Sequence, residues 1–360
     1  MSRAPDASLA DHHASRSGHK GIDYPFGERA PEPGALIEVA PGTGWMRLPI
    51  PGPLKHINVW AIDDGDGVAL VDTGLPLDSS KDAWRAALAG PLAGRTVTRI
   101  IVTHMHPDHL GLAGWLTKKF GVRLWMTRGE YLTARMLVAD ARPAPPDDVI
   151  VTWRGAGWDD GQIAAATAKG WGYFARAVHR LPDGYVRVRE GDRLGDWRAE
   201  IGSGHSPEHL CLVHDRNRVM IAGDQILPRI SSIVAISTTE PEADPLGEWL
   251  ESLARLREGL PGDLLVLPAH GFPFTGVHAR LDALIAGHEK QLARLEERLK
   301  EAPRRAVDCF GVMFARAIGP ELLGMATGET LAHLVHLEKR GRAKREVREG
   351  VWWWSAAVPN

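Results

Sequence analysis

Residues 97–109, VTRIIVTHMHPDH, constrain this chain more than any other stretch: an apolar, β-branched run of strand length opens directly into four metal donors within six residues. The run reads as a buried strand with the donors at its C-terminal end. His104, His106, Asp108 and His109 cannot all reach one ion without strain. Alternate residues of a loop point in different directions, so two neighbouring ions satisfy the four better than one. Such a site needs further donors, and the chain supplies them at the ends of other apolar runs: His205 in GSGHSPEH, Asp224 closing VMIAGD and His270 closing LLVLPAH. Imidazole and carboxylate donors suit zinc and also accept iron or manganese, which leaves the metal open.

The remaining pattern alternates strands and helices. INVWAI (57–62), the turn DDGDG and VALVD (68–72) read as a hairpin, SSKDAWRAAL (79–88) as a short helix, and a helix over 111–120 precedes a strand over 122–127. Residues 128–182 break the rhythm with a helix over 129–139, a Pro-rich link and a helical stretch over 159–180, and read as a helical insertion. Strands resume over 185–204, 210–215, 218–224 and 264–270. Leu246, Trp249, Leu250, Leu253 and Leu256 mark one helix, and Leu281, Leu284, Ile285, His288, Leu292, Leu295 and Leu299 mark a long one ended by Pro303. Helices over 307–317 and 328–341 and a charged strand pair ending in GVWWW complete the chain. Residues 1–35, polar and rich in Pro and Gly, read as a flexible tail in which His12, His13 and His19 are solvated.

Bulk properties exclude several classes. A net charge of −2 with 44% hydrophobic and 24% charged residues gives no polyanion-binding character and fits a globular chain. Two isolated cysteines, Cys211 and Cys309, support neither a disulfide framework nor a thiolate zinc knuckle, and fit a reducing compartment. No run approaches the ~18 apolar residues of a membrane span, and the first residues lack the apolar core of a secretory leader. A cytoplasmic protein without membrane partners, acting on a small-molecule substrate, is expected.

THMHPDH, GSGHSPEH, AGDQ and PAHG, in this order, resemble the metal-binding motifs of the metallo-β-lactamase fold superfamily over residues 36–290. The resemblance implies an α+β fold, a four-layer αββα sandwich with a dinuclear site along one edge of its sheets. Carried over position by position, His104, His106 and His205 would hold a first metal, Asp108, His109 and His270 a second, and Asp224 would bridge. Asp72 in VALVDTG matches a position where an aspartate orients a ligand histidine from behind. His209, four residues after His205, is expected to line the site or bond the backbone, and His56 to be structural. The expected cofactor is two zinc ions, with iron or manganese as alternatives.

Two such ions imply hydrolysis, with a metal-bridged hydroxide attacking an ester or thioester carbonyl of a small acyl conjugate, Asp224 between the ions and Asp108 carrying a proton to the leaving group. Within the family it resembles, flavodiiron-type oxidoreductases carry an acidic residue at the place of His106 and class B1 β-lactamases a Cys at the place of Asp224, so the resemblance disfavours redox chemistry and antibiotic hydrolysis here. Tyr131, Arg135, Met136, Trp153, Trp158, Trp171, Tyr173 and Phe174 make the insertion a candidate lid for an apolar acyl or aryl group. The alternatives are a metal-dependent nuclease acting on RNA, a lactonase or β-lactamase-like amide hydrolase, and a regulatory or binding protein with a vestigial site.

Residues 291–360 resemble the winged-helix-type appendage of a glyoxalase-II-like branch. Residues 290–350 carry 13 Lys/Arg against 9 Asp/Glu, with six basic residues in KRGRAKREVR (339–348). A nucleic-acid-binding wing is one reading. The preferred one is a charged hairpin packed on the enzyme domain or on a second subunit, giving a homodimer. Trp352, Trp353 and Trp354 cannot all face one side of a strand.

Overall fold

The structure, a computed structural model, describes residues 21–357. Seven strands form the first sheet in sequential order: β1 (Ile37–Ala40), β2 (Thr43–Pro49), β3 (His56–Asp64), β4 (Gly67–Val71), β5 (Val97–Ile101), β6 (Leu124–Met126) and β7 (Val186–Arg187). The first four are antiparallel, and β4 through β7 run parallel. Between them lie α1 (Asp78–Ala89), α2 (Pro107–Leu110) and α3 (Ala113–Phe120). The second sheet contains β8 (Arg193–Leu194), β9 (Trp197–Gly202), β10 (His209–His214), β11 (Val219–Gly223) and β12 (Leu265–Pro268), in the order β12-β11-β10-β9-β8. Only the β11–β12 pairing there is parallel.

Period-two alternation makes the layers. Along β3, Trp60 and Ile62 join Trp197, Leu210, Leu212 and Ile221 of the second sheet, whereas Ile57, Val59 and Ala61 face Trp84, Ala87 and Leu116 of the covering helices. Along β10, Leu210 and Leu212 point between the sheets while Cys211 and Val213 meet the helices on the far side. Those helices are α8 (Pro245–Gly259) and α9 (Val277–Glu301). The result is an αββα sandwich, as expected.

Residues 128–182 contain α4 (Arg128–Ala139), α5 (Asp147–Ala156), α6 (Asp160–Ala168) and α7 (Tyr173–Ala177). A capping box between Asp159 and Gln162 starts α6. The segment rejoins the sandwich against α3, where a Cβ at Gly114 would collide with the Arg180 carbonyl oxygen. Three of its aromatics are taken up in packing: Trp153 stacks on Trp158 at 4.6 Å within the segment, and Tyr131 stacks at 3.9 Å on Tyr185, just beyond it.

The C-terminal unit contains a 3-10 turn (Ala306–Cys309), α10 (Phe310–Met313), α11 (Leu323–Lys339) and the antiparallel pair β13 (Ala343–Arg348) and β14 (Val351–Ala356). The expected helix over 307–317 is therefore short. Phe314 turns extended and buries its ring against Phe310, which stops the helix. The expected boundary at 290/291 falls inside α9, and Leu331, Leu334, Val335 and Trp354 share one core with Trp249, Leu281 and Leu292. Arg345 lies 5.2 Å from the rings of both Trp352 and Trp354. Much of the basic run is neutralised within the chain: Arg340 pairs with Glu289, Arg342 with Glu296, Arg345 with Glu242 and Arg348 with Glu346.

Of the expected tail, residues 1–20 and their three histidines lie outside the described residues. Residues 21–35 pack on the sandwich instead of hanging free: Ile22 is buried, Asp23 bridges to Thr275, and Phe26 meets Trp45 edge-on. The apolar side chains of Ile22 and Phe26 give this short stretch an anchor that its average composition hides. Among the described residues no helix is long and apolar enough to cross a membrane.

Candidate metal centre

Chain direction puts the site at one edge. β4, β5, β9, β11 and β12 all end there, and the segments leaving them carry Asp72, His104 to His109, His205, Asp224 and His270. Backbone bonds stitch the sheets together at that edge: the Leu210 N–H donates to the Thr103 carbonyl at 2.8 Å and the Asn58 N–H to the Ala269 carbonyl at 2.7 Å. The loops are therefore fixed relative to each other before any side chain is considered.

Hydrogen bonds behind the imidazoles then aim them. Asp72 sits at φ 63°, a left-handed conformation that a short polar side chain tolerates. Its carboxylate accepts the Thr103 N–H at 2.8 Å and His109 Nδ1–H at 2.8 Å. That bond assigns the His109 proton to Nδ1 and leaves the Nε2 lone pair facing the centre, where the buried atom has no partner among the described residues. His205 Nδ1–H donates to the Ile233 carbonyl at 2.7 Å and His270 Nδ1–H to the His56 carbonyl at 3.0 Å, which turns both Nε2 atoms inward. His56 thus contributes its backbone.

Inside this frame the donors cluster. His104 Nε2, His106 Nδ1 and His205 Nε2 lie 2.8, 3.1 and 3.3 Å apart. His109, His270 and Asp108 form a second group, with His270 Nε2 at 3.3 Å and His109 Nε2 at 3.8 Å from Asp108 Oδ2. Asp224 faces both groups: Oδ2 is 3.5 Å from His205 Nε2 and 3.6 Å from His109 Nε2, and Oδ1 is 3.5 Å from His270 Nε2. All seven residues predicted as ligands are brought together.

The donor set fits metal ions on two counts. Ligand atoms around a tetrahedral zinc with bonds of about 2.0–2.1 Å are about 3.3 Å apart, close to the spacing of the first three nitrogens. Further, the unpartnered His109 Nε2 and Asp224 Oδ1 are buried polar atoms that a cation would satisfy. The electrostatics agree. Burial, reinforced by the surrounding imidazoles, holds His104 far below the usual histidine range and brings His106 to about 3, so both are neutral, the form a metal ligand needs. Burial alone would raise Asp224 and Asp108, but His270 and His109 outweigh it, keeping Asp224 well below the usual carboxylate range and Asp108 at about 2. Burial opposes a charge on His109, yet Asp72, Asp108 and Asp224 push its pKa upward. The same negative field attracts a metal cation.

His209 stands behind this shell. Its Nε2 accepts the Asp224 N–H at 3.0 Å and its ring stacks on His104 at 4.7 Å. Gly223, at φ 51°, makes room for it, since a Cβ there would lie 2.5 Å from the His209 ring. Sequence reasoning missed Glu130. This fully buried carboxylate accepts the Met105 N–H and the Glu208 N–H, each at 2.8 Å, and so ties the loop between His104 and His106 to the loop between His205 and His209. An acidic residue in the first turn of a helix is ordinary on dipole grounds, which conceals its reach.

A cavity of about 310 Å³ opens beside His205, Asp224 and His270. Its other walls are Pro51, Pro53 and Leu54, Leu227 and Ile230 to Ile233, Gln291 of α9, and Met313, Phe314, Leu322, Met325 and Glu329 of the C-terminal unit. The insertion contributes nothing to this lining, so the expected lid lies elsewhere: Met136, Val149 and Trp171 line a separate open cleft with Thr238 and Trp352.

The metallo-beta-lactamase superfamily model matches residues 52–270, and a model described as the metallo-beta-lactamase-like C-terminal domain matches residues 292–357. A beta-lactamase domain protein from Burkholderia ambifaria superposes with a TM-score of 0.84 at 37% identity, covering 93% of this chain and 97% of its own. A metallo-beta-lactamase family protein from Thermus thermophilus gives 0.72 at 27% identity, covering 89% of this chain and 100% of its own. Among curated relatives, the probable metallo-hydrolase YqjP of Bacillus subtilis is 25% identical over 81% of this chain and 91% of its own length. An atrochrysone carboxyl ACP thioesterase of Emericella nidulans is 23% identical over 83% and 80%. With motif order, donor geometry and matched span in agreement, the chain belongs to the metallo-beta-lactamase superfamily and is a metal-dependent hydrolase with a dinuclear site.

Proposed function

We propose that the chain hydrolyses an ester or thioester of a small acyl conjugate. The observation that carries this reading is the convergence of seven donors, in two groups sharing Asp224, on the edge of a largely apolar cavity. In this reading His104, His106 and His205 would hold one ion, Asp108, His109 and His270 would hold the other, and Asp224, which faces both groups, would serve the two. Bound there, divalent ions, zinc by donor type or otherwise iron or manganese, supply Lewis acidity that acidifies water and polarises a carbonyl.

The chain's own residues do the rest. Asp72 and the carbonyls of Ile233 and His56 fix the imidazole tautomers, so no reorientation is needed during reaction. Asp108, whose side chain is 22% exposed against 11% for Asp224, is the carboxylate able to pass a proton towards a leaving group. Leu227, Ile230 and Ile233 give the acyl side apolar contacts. The thioesterase names among the relatives support a thioester, and the paired arginines of the C-terminal run lend the RNA nuclease reading nothing. The C-terminal unit, helices followed by a two-stranded pair, is read as winged-helix-like.

The test is a hydrolysis screen over thioesters, esters, lactones, β-lactams, phosphodiesters and RNA with metal-replete protein and Asp224→Ala. Cleavage of thioesters or esters, lost in the variant, is expected. Cleavage confined to RNA or phosphodiesters would overturn the assignment.

A further inference from the structure

The cavity beside the donors has one wall that does not match its surroundings. Met313, Phe314, Leu322 and Met325 are apolar, but Glu329 stands among them. Two other acids withdrawn from water have partners: Glu130 accepts two backbone N–H groups, and Asp244 accepts the Gly247 N–H and faces His336 Nδ1. The half-buried Glu329 carboxyl has neither a donor nor a cation among the described residues, and burial alone pushes it up to about 7. Withdrawing such a group from water without a partner costs stability, and a cleft is where that cost is recovered by a ligand.

The backbone keeps Glu329 at the wall. The Gly328 carbonyl accepts the Ile236 N–H at 3.0 Å, and a Cβ on Gly328 would meet the Ala235 Cβ at 3.0 Å. Trp158 Nε1–H donates to Thr327 Oγ1 at 2.8 Å, and His333 Nδ1–H to the Glu329 carbonyl at 2.8 Å. α11 is therefore clamped on both sides of Glu329, against the segment that follows Leu227 to Ile233 and against the insertion. The volume of about 310 Å³ holds about ten water-sized units at ~30 Å³ each, enough for a short acyl chain or a single aryl group.

Resting on the hydrolase reading above, we propose that the C-terminal unit sets substrate choice: the cavity receives the apolar acyl or aryl group, and Glu329 selects groups that carry a hydrogen-bond donor, a hydroxyl or an ammonium. Once ionised, Glu329 presents a like charge to an anionic acyl terminus and rejects it. Glu329 is a specificity residue and makes no hydrogen bond or ion pair with a metal donor among the described residues.

The experiment, run at a pH above the Glu329 value of about 7 so that the carboxylate is ionised, compares aryl thioesters whose acyl chains are equal in length and end in methyl, hydroxyl, ammonium or carboxylate. It also measures binding of the matching thioethers, which cannot be hydrolysed, by calorimetry. The intact protein is expected to favour hydroxyl and ammonium over methyl by about tenfold or more in kcat/KM, as one charge-assisted bond allows, and to disfavour carboxylate. Glu329→Leu should reverse the order, and Glu329→Gln should keep the hydroxyl preference and lose the ammonium one, both with unchanged metal content. Cleavage of all four at equal kcat/KM, or an unchanged order in Glu329→Leu, overturns the inference and leaves the hydrolase reading standing. No cleavage with the thioethers still ranked overturns the thioesterase reading alone, and no cleavage with no ranked binding overturns both.

Discussion

Glu130→Ala tests whether the metal centre depends on a brace that is not itself a donor. The carboxylate holds the N–H groups of Met105 and Glu208, one in each of two donor loops, and is fully buried. Removing it leaves two buried N–H groups without acceptors, at about 1–3 kcal/mol each, or about 2–6 kcal/mol together. Loss of the buried charge returns part of that, so the lower end of the range is expected. Because the bonds join the His104–His106 loop to the His205–His209 loop, the loss should also appear as metal affinity lowered by about 10–100-fold, the usual scale for a group that supports ligands. Chelator competition on purified protein reads the affinity, and thermal unfolding with and without metal reads the stability. Glu130→Gln keeps one acceptor and should fall between. Wild-type affinity and melting temperature in Glu130→Ala would refute the reasoning.

Three further outcomes follow from single contacts. Asp72→Asn keeps a side chain that tolerates φ 63°, so the fold should persist while His109 loses its carboxylate; metal in the Asp108/His109/His270 group should weaken by about 10–100-fold, read as one tightly held ion per chain in place of two. Gly114→Ala forces a Cβ into the Arg180 carbonyl and should cost at least the ~1–3 kcal/mol of an overpacked site, seen as a sharp drop in melting temperature; an unchanged melt would mean that the insertion is not seated on α3 as described. Trp158→Phe deletes the buried bond to Thr327 and should cost about 0.5–1.5 kcal/mol in denaturant unfolding, with no change in metal content.

What was legible in the sequence, and what was not, divides along physical lines. The seven donors could be found because each stands beyond an apolar strand, and parallel strands, or alternate strands of an antiparallel ladder such as β9 and β11, bring such ends to a common edge. Asp72 shares that position, directly after β4, whereas His209 opens β10. The carbonyls of His56 and Ile233 could not be found, since any residue supplies one. Glu130 is invisible for a related reason: its partners are backbone groups 25 and 78 residues away. The aromatic insertion suggested a lid because the composition of a small core and that of a binding wall are alike; Trp153 on Trp158 and Tyr131 on Tyr185 show the core reading. Conversely, Met313, Phe314 and Glu329 lie at the cavity because α9 carries the chain past the expected boundary and back over the donor edge, a placement no local periodicity encodes.

The central claim, that two groups of donors sharing Asp224 hold the ions on which hydrolysis depends, is tested most directly by titrating zinc into chelator-stripped protein while counting bound metal and following thioester or ester cleavage. The expected result is no cleavage in the stripped protein, recovery as two ions bind per chain, and loss of both binding and cleavage in Asp224→Ala. Full cleavage by the stripped protein, or saturation without bound metal, would contradict it.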